Sequence, residues 1–231
     1  MFFRTLAEQP PQYLRPLIIV LVAGTFSAIA EYLVISWIFS FFSAGFSGMG
    51  PEYSLVSSLF GAMIVLVSAF AVFGPFVVAI LAGLVFYILA GFVSKGGSLA
   101  HAITAVAWGT IPLAIFGALQ IPLFLAFRSA MDVTISPEFF AMIKNSTSAS
   151  SMDKEAMMHM FTFSQPYYTY TMLNASLHVL AWLCCAWFWI PAVRNTCAVD
   201  RRQAALIVLV PLFLYLAATY GPALITGGHV V

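Results

Sequence analysis

Charged residues are the scarcest class in this sequence. Lysine, arginine, aspartate and glutamate together make up 7% of the 231 residues, whereas an average globular protein has about 25%. The hydrophobic share is 62%, well above the roughly 45–50% of an ordinary globular domain. The net charge of +1 provides no basic surface for nucleic acid. The composition therefore argues against a nucleic-acid partner and predicts an integral membrane protein.

Cysteines and catalytic motifs are also few. Three cysteines, two of them adjacent in an apolar run at Cys184 and Cys185, argue against a disulfide scaffold. The sequence contains no glycine-rich phosphate loop after a strand, no nucleophile elbow and no paired carboxylates on one predicted helix face. We therefore predict that the protein is not an enzyme and has no catalytic residues, cofactor or metal.

Apolar runs long enough to cross a membrane recur along the chain. A hydrocarbon core needs roughly 20 apolar residues per helix, and five spans are predicted at residues 16–42, 76–93, 99–127, 169–190 and 204–221. Residues 55–73 are interpreted as a kinked outer extension of the second span. A complete additional span that turns at Gly74 and Pro75 is the rival interpretation. The sequence thus predicts an all-α, polytopic transmembrane bundle of about five spans, with six as the alternative.

The distribution of cations favours five spans over six. With five, residues 1–15 form a short cytoplasmic lead, and Lys95, Arg194, Arg201 and Arg202 lie on the same side of the membrane. With six, Lys95 and the three arginines would face outward, against the positive-inside rule. We expect a cytoplasmic amino terminus, a single membrane domain over residues 16–231, and a polar extracytoplasmic loop at residues 128–168.

That polar loop is predicted to hold two short helices. Ser136 precedes Pro137, which occupies the favoured first position of a helix over residues 137–144. Ser150 and Asp153 open a second segment over residues 152–161.

Glu31 and His178 are ionisable residues inside predicted spans. An ionisable group in a span is costly and is by default a functional hypothesis. Both residues fall in the outer half of their spans at ~1.5 Å of rise per residue, so we predict that they share a layer and hydrogen-bond. In a transporter or channel, this pair and Gln120 would line a polar path. In the structural alternative, Glu31 is simply protonated or reaches water.

A short glycine-rich joint separates the second and third spans. It reads Lys95-Gly96-Gly97-Ser98. In the first interpretation, Lys95 is only a cation that fixes the orientation of the spans in the membrane. In the second, Lys95 forms an inner-face contact for a cytoplasmic protein or for lipid headgroups, together with Arg194, Arg201 and Arg202.

The joint and the helix after it resemble the Yip family of Ypt-interacting proteins. The matching residues are Gly96-Gly97-Ser98-Leu99, Ile103, Trp108 and Pro112. The chain departs from the usual family pattern at Ala107-Trp108, where the family has Gly-Tyr, although the aromatic residue is kept. A cationic loop followed by an alanine-led last span with a proline is a further likeness, carried by Arg194, Arg201-Arg202, Ala204-Ala205 and Pro211.

The resemblance implies five spans, a cytoplasmic amino terminus and a non-enzymatic role in membrane organisation or trafficking. Eukaryotic members interact with Rab-type GTPases in endoplasmic reticulum to Golgi traffic. The short lead makes this chain look more like bacterial or archaeal members, for which no activity is established. We expect a cell-membrane location in a prokaryote and the endoplasmic reticulum or Golgi in a eukaryote. Membrane lipid is the expected partner, with a cytoplasmic protein and a homo-oligomer left open.

Overall fold

The computed structural model describes Phe3 and residues 13–46, 53–94, 96–136 and 161–225. Within these ranges the chain forms six α-helices and one pair of short strands. In chain order they are α1 (Leu14–Phe46), α2 (Tyr53–Gly91), α3 (Leu99–Trp108), α4 (Ile111–Arg128), β1 (Val133–Ile135), β2 (Phe161–Phe163), α5 (Gln165–Thr196) and α6 (Arg201–Ile225).

Among the described residues, five helical stretches are long and apolar enough to cross a membrane. They are Leu14–Ala44, Gly61–Gly91, Leu99–Arg128, Gln165–Thr196 and Arg201–Gly221. The third stretch combines α3 and α4. This confirms the predicted five-span helical bundle and identifies the chain as an integral, multi-pass membrane protein.

The second span differs from its prediction, because α2 does not end at Gly74 and Pro75. Pro75 lies inside one continuous helix of 39 residues, which is ~58 Å long at 1.5 Å per residue. A proline removes only one backbone donor, and a helix this long has many other hydrogen bonds to keep it intact. The rival interpretation of two complete spans turning at this dipeptide is therefore wrong, and residues 55–73 continue the helix of the second span.

The third predicted span, residues 99–127, is formed by two helices rather than one. α3 ends at Trp108, and Gly109 and Thr110 separate it from α4. Pro112 lies in the first turn of α4, where its missing N–H costs no hydrogen bond. The Thr110 hydroxyl is buried in the break and donates to the carbonyl oxygen of Ala107 at 2.6 Å.

A two-stranded antiparallel sheet joins the ends of α4 and α5. Val133 pairs with Phe163, and Ile135 pairs with Phe161. The predicted loop helix over residues 137–144 lies outside the described residues, as do residues 152–160 of the second predicted helix. Phe161, the predicted last residue of that second helix, instead begins β2.

Small residues let the first three helices cross closely. A Cβ added at Gly24 of α1 would overlap the backbone of Val72 in α2, and one added at Gly83 of α2 would lie 2.8 Å from the Cα of Ile103 in α3. In lipid, close backbone approach is a main source of helix association. These glycines therefore fix how α1, α2 and α3 pack.

Two buried clusters lie toward opposite ends of the bundle. One contains Phe86, Val106, Trp189 and Cys197, and we call its end, where residues 94–98 and 197–200 lie, the joint end. The other contains Trp37, Phe124, Tyr170 and Val133, and we call its end the sheet end.

Candidate functional site

The glycine joint packs directly against the turn between α5 and α6. Gly97 has a φ of +110°, and a Cβ added to it would lie 2.7 Å from the carbonyl oxygen of Thr196. A Cβ added to Gly96 would lie 3.2 Å from the Cβ of Ala198. The Ser94 hydroxyl donates to the carbonyl oxygen of Ala198 at 3.4 Å. The two connections, about a hundred residues apart in sequence, therefore form one surface at the joint end.

The α5–α6 turn is held by its own buried contacts. Cys197 is completely buried, and burial raises the pKa of its thiol, so we expect it to be unreactive. The Asp200 carboxylate accepts from the backbone N–H of Gln203 at 2.8 Å, and the Gln203 side chain accepts from the backbone N–H of Asp200 at 3.0 Å. This reciprocal capping box begins α6 at Arg201.

The ring of Trp189 fills the break between α3 and α4. Its Nε1–H donates to the carbonyl oxygen of Val106 at 2.9 Å, one of the carbonyls near the end of α3 that lack a partner within the helix. A Cβ added at Gly109 would overlap this ring. Phe86 of α2 contacts the other side of Trp189 edge-on, with ring centroids 5.6 Å apart. The break is thus a packed junction of four helices.

The residues of the family-like motif occupy three positions around this junction. Gly96 and Gly97 lie in the joint, and Ser98 is the residue before α3, without a side-chain capping bond. Trp108 is the last residue of α3, and Pro112 lies in the first turn of α4. The motif therefore marks the start, break and restart of one span.

The structure brings three of the four predicted inner-face cations to the joint end. Arg194 lies in the last turn of α5, and Arg201 and Arg202 are the first residues of α6. All three side chains are exposed. Lys95 lies outside the described residues.

A groove of about 370 Å³ lies between α5 and α6 beside these arginines. It is lined by Trp187, Ile190, Pro191, Arg194, Arg201 and Ala205. Sequence reasoning identified the two arginines but missed the groove. The signal was present as Trp187, about two helical turns before Arg194, but only the packing of α5 on α6 puts Arg201 across from it.

Glu31 and His178 are both described by the structure, and they do not form the predicted hydrogen bond. The Gln120 side-chain amide instead donates to Nε2 of His178 at 2.7 Å, which requires a neutral imidazole with that nitrogen unprotonated. Gln120 is 5% exposed, whereas Glu31 lies on the exposed surface of α1. Gln120 therefore takes the place predicted for Glu31, because α4 rather than α1 lies against that face of α5.

Comparison with known proteins adds one finding. The family model described as the Yip1 domain matches residues 1–221 of the chain. No curated protein and no solved structure matches it.

Proposed function

The chain belongs to the Yip1 domain family, and from this premise we propose that it is a non-enzymatic membrane protein acting through protein or lipid contacts at its joint end. Its role is membrane organisation or one like that of trafficking proteins. The observation that carries this proposal is the surface built where Gly96 and Gly97 pack against the α5–α6 turn, beside the exposed Arg194, Arg201 and Arg202.

We propose that the joint end faces the cytoplasm, because arginines gather there and cytoplasmic ends carry an excess of cations. Residues 1–15 are then a cytoplasmic lead, residues 16–231 one membrane domain, and residues 128–168 an extracytoplasmic loop. The proposed partners are membrane lipid, a cytoplasmic protein and a second copy of the chain.

A small transporter or channel is the second candidate function. The partly buried Gln120–His178 hydrogen bond between two spans favours it, since polar groups inside a bundle often mark substrate or proton paths. Glu31 argues against a complete path, because it lies on the exposed surface of α1 rather than beside His178. The joint-end surface therefore carries more weight.

Single-cysteine labelling in intact cells tests the orientation on which the proposal depends. Cys184, Cys185 and Cys197 are first replaced by alanine, and folding of this background is checked by its elution from a sizing column. We expect Ser43→Cys and Ser129→Cys to react with a membrane-impermeant maleimide. Ala198→Cys and Arg202→Cys should react only after the membrane is opened. The reverse pattern would exclude a cytoplasmic joint end.

Photo-crosslinking in the same cells tests the contact itself. A photoreactive residue at Arg202 should give specific adducts with protein or lipid at the joint end. The matched control is the same residue at Ser129, which is also exposed but follows α4 at the sheet end. Equal yields of adducts from both positions would mean that the joint end makes no contact that the sheet end lacks. The transporter or channel would then become the favoured function.

A further inference from the structure

We infer that the groove between α5 and α6 binds one anionic glycerophospholipid. The headgroup phosphate lies between Arg194 and Arg201, and an acyl chain lies along Trp187 and Ile190. This inference deepens the proposed function and rests on it, since it names the ligand class of one part of the joint-end surface.

The shape of the groove fits a single amphipathic ligand. Its volume of about 370 Å³ is at the lower end of the range for small-molecule sites, about 300–1,000 Å³. Four of its six lining residues are apolar, and the two arginines come from different helices, on either side of the α5–α6 turn. The groove therefore offers a charged end and an apolar floor.

The charge at that end is complementary to a phosphate. Arginine binds phosphate through parallel N–H donors, and two guanidinium groups surround more of its oxygens than one. The neighbouring acid, Asp200, is engaged by the backbone of Gln203 in the capping box. Arg201 also begins α6, and a helix amino terminus favours a negative charge. Within the part of the chain that the structure describes, neither Arg194 nor Arg201 has an ion-pair partner, so both guanidinium groups are available to an anion from outside the chain.

The position of the groove selects a lipid over a soluble anion. The side chain of Trp187 is 75% exposed and lies ~10 Å along α5 from Arg194, on the surface of a predicted membrane span. Tryptophan is enriched where the hydrocarbon core meets the headgroups. A ligand that contacts both Trp187 and Arg194 must be apolar at one end and anionic at the other. Phosphatidylglycerol has that chemistry.

Quenching of Trp187 fluorescence by brominated lipids tests the inference on the full chain. The protein is placed in phosphatidylcholine vesicles with a small fraction of either brominated phosphatidylglycerol or brominated phosphatidylcholine. The signal of Trp187 is obtained by subtracting the quenching of Trp187→Phe. We expect the phosphatidylglycerol needed for half-maximal quenching to rise about fivefold on loss of either arginine, since each cation contributes that much to binding an anionic surface.

Three variants give this experiment its contrast. Arg194→Gln and Arg201→Gln, alone and combined, should lower the preference for phosphatidylglycerol, and the double variant should quench equally with both lipids. Arg202→Gln is the matched control, because Arg202 is exposed beside Arg201 but does not line the groove. Circular dichroism and thermal unfolding in phosphatidylcholine alone would identify a variant that fails to fold.

Several outcomes would overturn the inference. The first is equal quenching of the natural chain by both lipids, and the second is a double variant that still prefers phosphatidylglycerol. The third is an Arg202→Gln variant that loses as much of its preference for phosphatidylglycerol as Arg201→Gln does. Displacement of the lipid by inorganic phosphate would indicate a soluble-anion site. Two results together would indicate a second copy of the chain in the groove. The Trp187→Cys variant would form disulfide-linked dimers, and the quenching of Trp187 in the natural chain would fall as the density of protein in the vesicles rises.

The failure of this inference can be told apart from failure of the proposed function. If Ala198 reacts only from the cytoplasmic side and Arg202 gives more adducts than Ser129, while both lipids quench equally, the lipid site is wrong and the joint-end contact stands. If Ala198 reacts from outside, the proposed function fails whatever the quenching shows.

Discussion

At the scale of single residues, Gly97 meets two constraints at once. Its φ of +110° is a conformation that side chains with a Cβ rarely adopt, and its α-carbon faces the carbonyl oxygen of Thr196. No side chain larger than hydrogen satisfies both. The joint therefore depends on this glycine for its conformation and for its contact with the α5–α6 turn.

We predict that Gly97→Ala lowers the free energy of unfolding by about 2 kcal/mol or more, because the cost of the strained backbone adds to the cost of overlap with Thr196. Thermal or denaturant unfolding in detergent measures the loss. Gly91→Ala is the matched control, since an added Cβ there meets nothing within 4 Å and alanine favours a helix. Equal effects of the two substitutions would show that the joint does not need a glycine.

Two tryptophans on α5 make a second contrast at this scale. Trp189 is 2% exposed and bonds Val106, whereas Trp187 is 75% exposed. We predict that Trp189→Phe costs about 1–3 kcal/mol, because the Val106 carbonyl loses its partner in a buried site. Trp187→Phe should change unfolding by under about 0.5 kcal/mol. Comparable losses would mean that the hydrogen bond is not what stabilises the α3–α4 break.

At the scale of elements, a side-chain hydrogen bond joins α4 to α5 inside the membrane-spanning region. Gln120 donates to His178 at 2.7 Å. Farther along the same pair of helices, Phe124 and Tyr170 pack edge-on with centroids 5.8 Å apart. The antiparallel helices therefore place this hydrogen bond about one turn along α4, and about two turns along α5, from an aromatic contact.

A double-mutant cycle tests this pairing. We predict that Gln120→Leu and His178→Leu are less than additive, with a coupling of about 0.6–2 kcal/mol, as for hydrogen bonds between helices in lipid. Glu31→Gln combined with His178→Leu serves as the control and should be additive. Coupling to Glu31 instead of Gln120 would restore the pair first expected from the sequence.

At the scale of the whole molecule, the described residues hold an odd number of spans, and an odd number places the two ends of a chain on opposite sides of the membrane. Five spans and the arginines at the joint end predict a cytoplasmic amino terminus and a carboxyl terminus on the opposite side. Different epitope tags at the two ends, exposed to protease in intact cells, provide the measurement. We expect loss of the carboxyl-terminal tag alone, and removal of both tags would point to an even number of spans.

The number of spans and the residues of the joint could be read from the sequence, but the side-chain partners could not. A soluble helix reveals its buried face by its polar opposite face. Here the lipid-facing surface is as apolar as the core: within the second span, Phe70 is 68% exposed and Phe86 is 3% exposed. That is why His178 was assigned to Glu31 rather than to Gln120, and why the groove beside Trp187 went unseen.

Short-range features were missed for a different reason. The break at Gly109 and Thr110 spans two residues, and each strand of the sheet has three. Such pieces are too short to show a periodic pattern. Their form follows from partners elsewhere in the chain: Trp189 fills the break, and β2 supplies the hydrogen bonds of β1.

The sequence by itself determined the membrane class, the five apolar helices and the glycine joint, because hydrocarbon demands long apolar runs and a tight joint with a φ of +110° favours glycine. Only the tertiary structure decided that the joint meets the α5–α6 turn, that Gln120 meets His178, and that Arg194 and Arg201 share a groove. These contacts depend on how each helix is rotated about its axis. Where lipid and core are equally apolar, that rotation is set by close packing between helices.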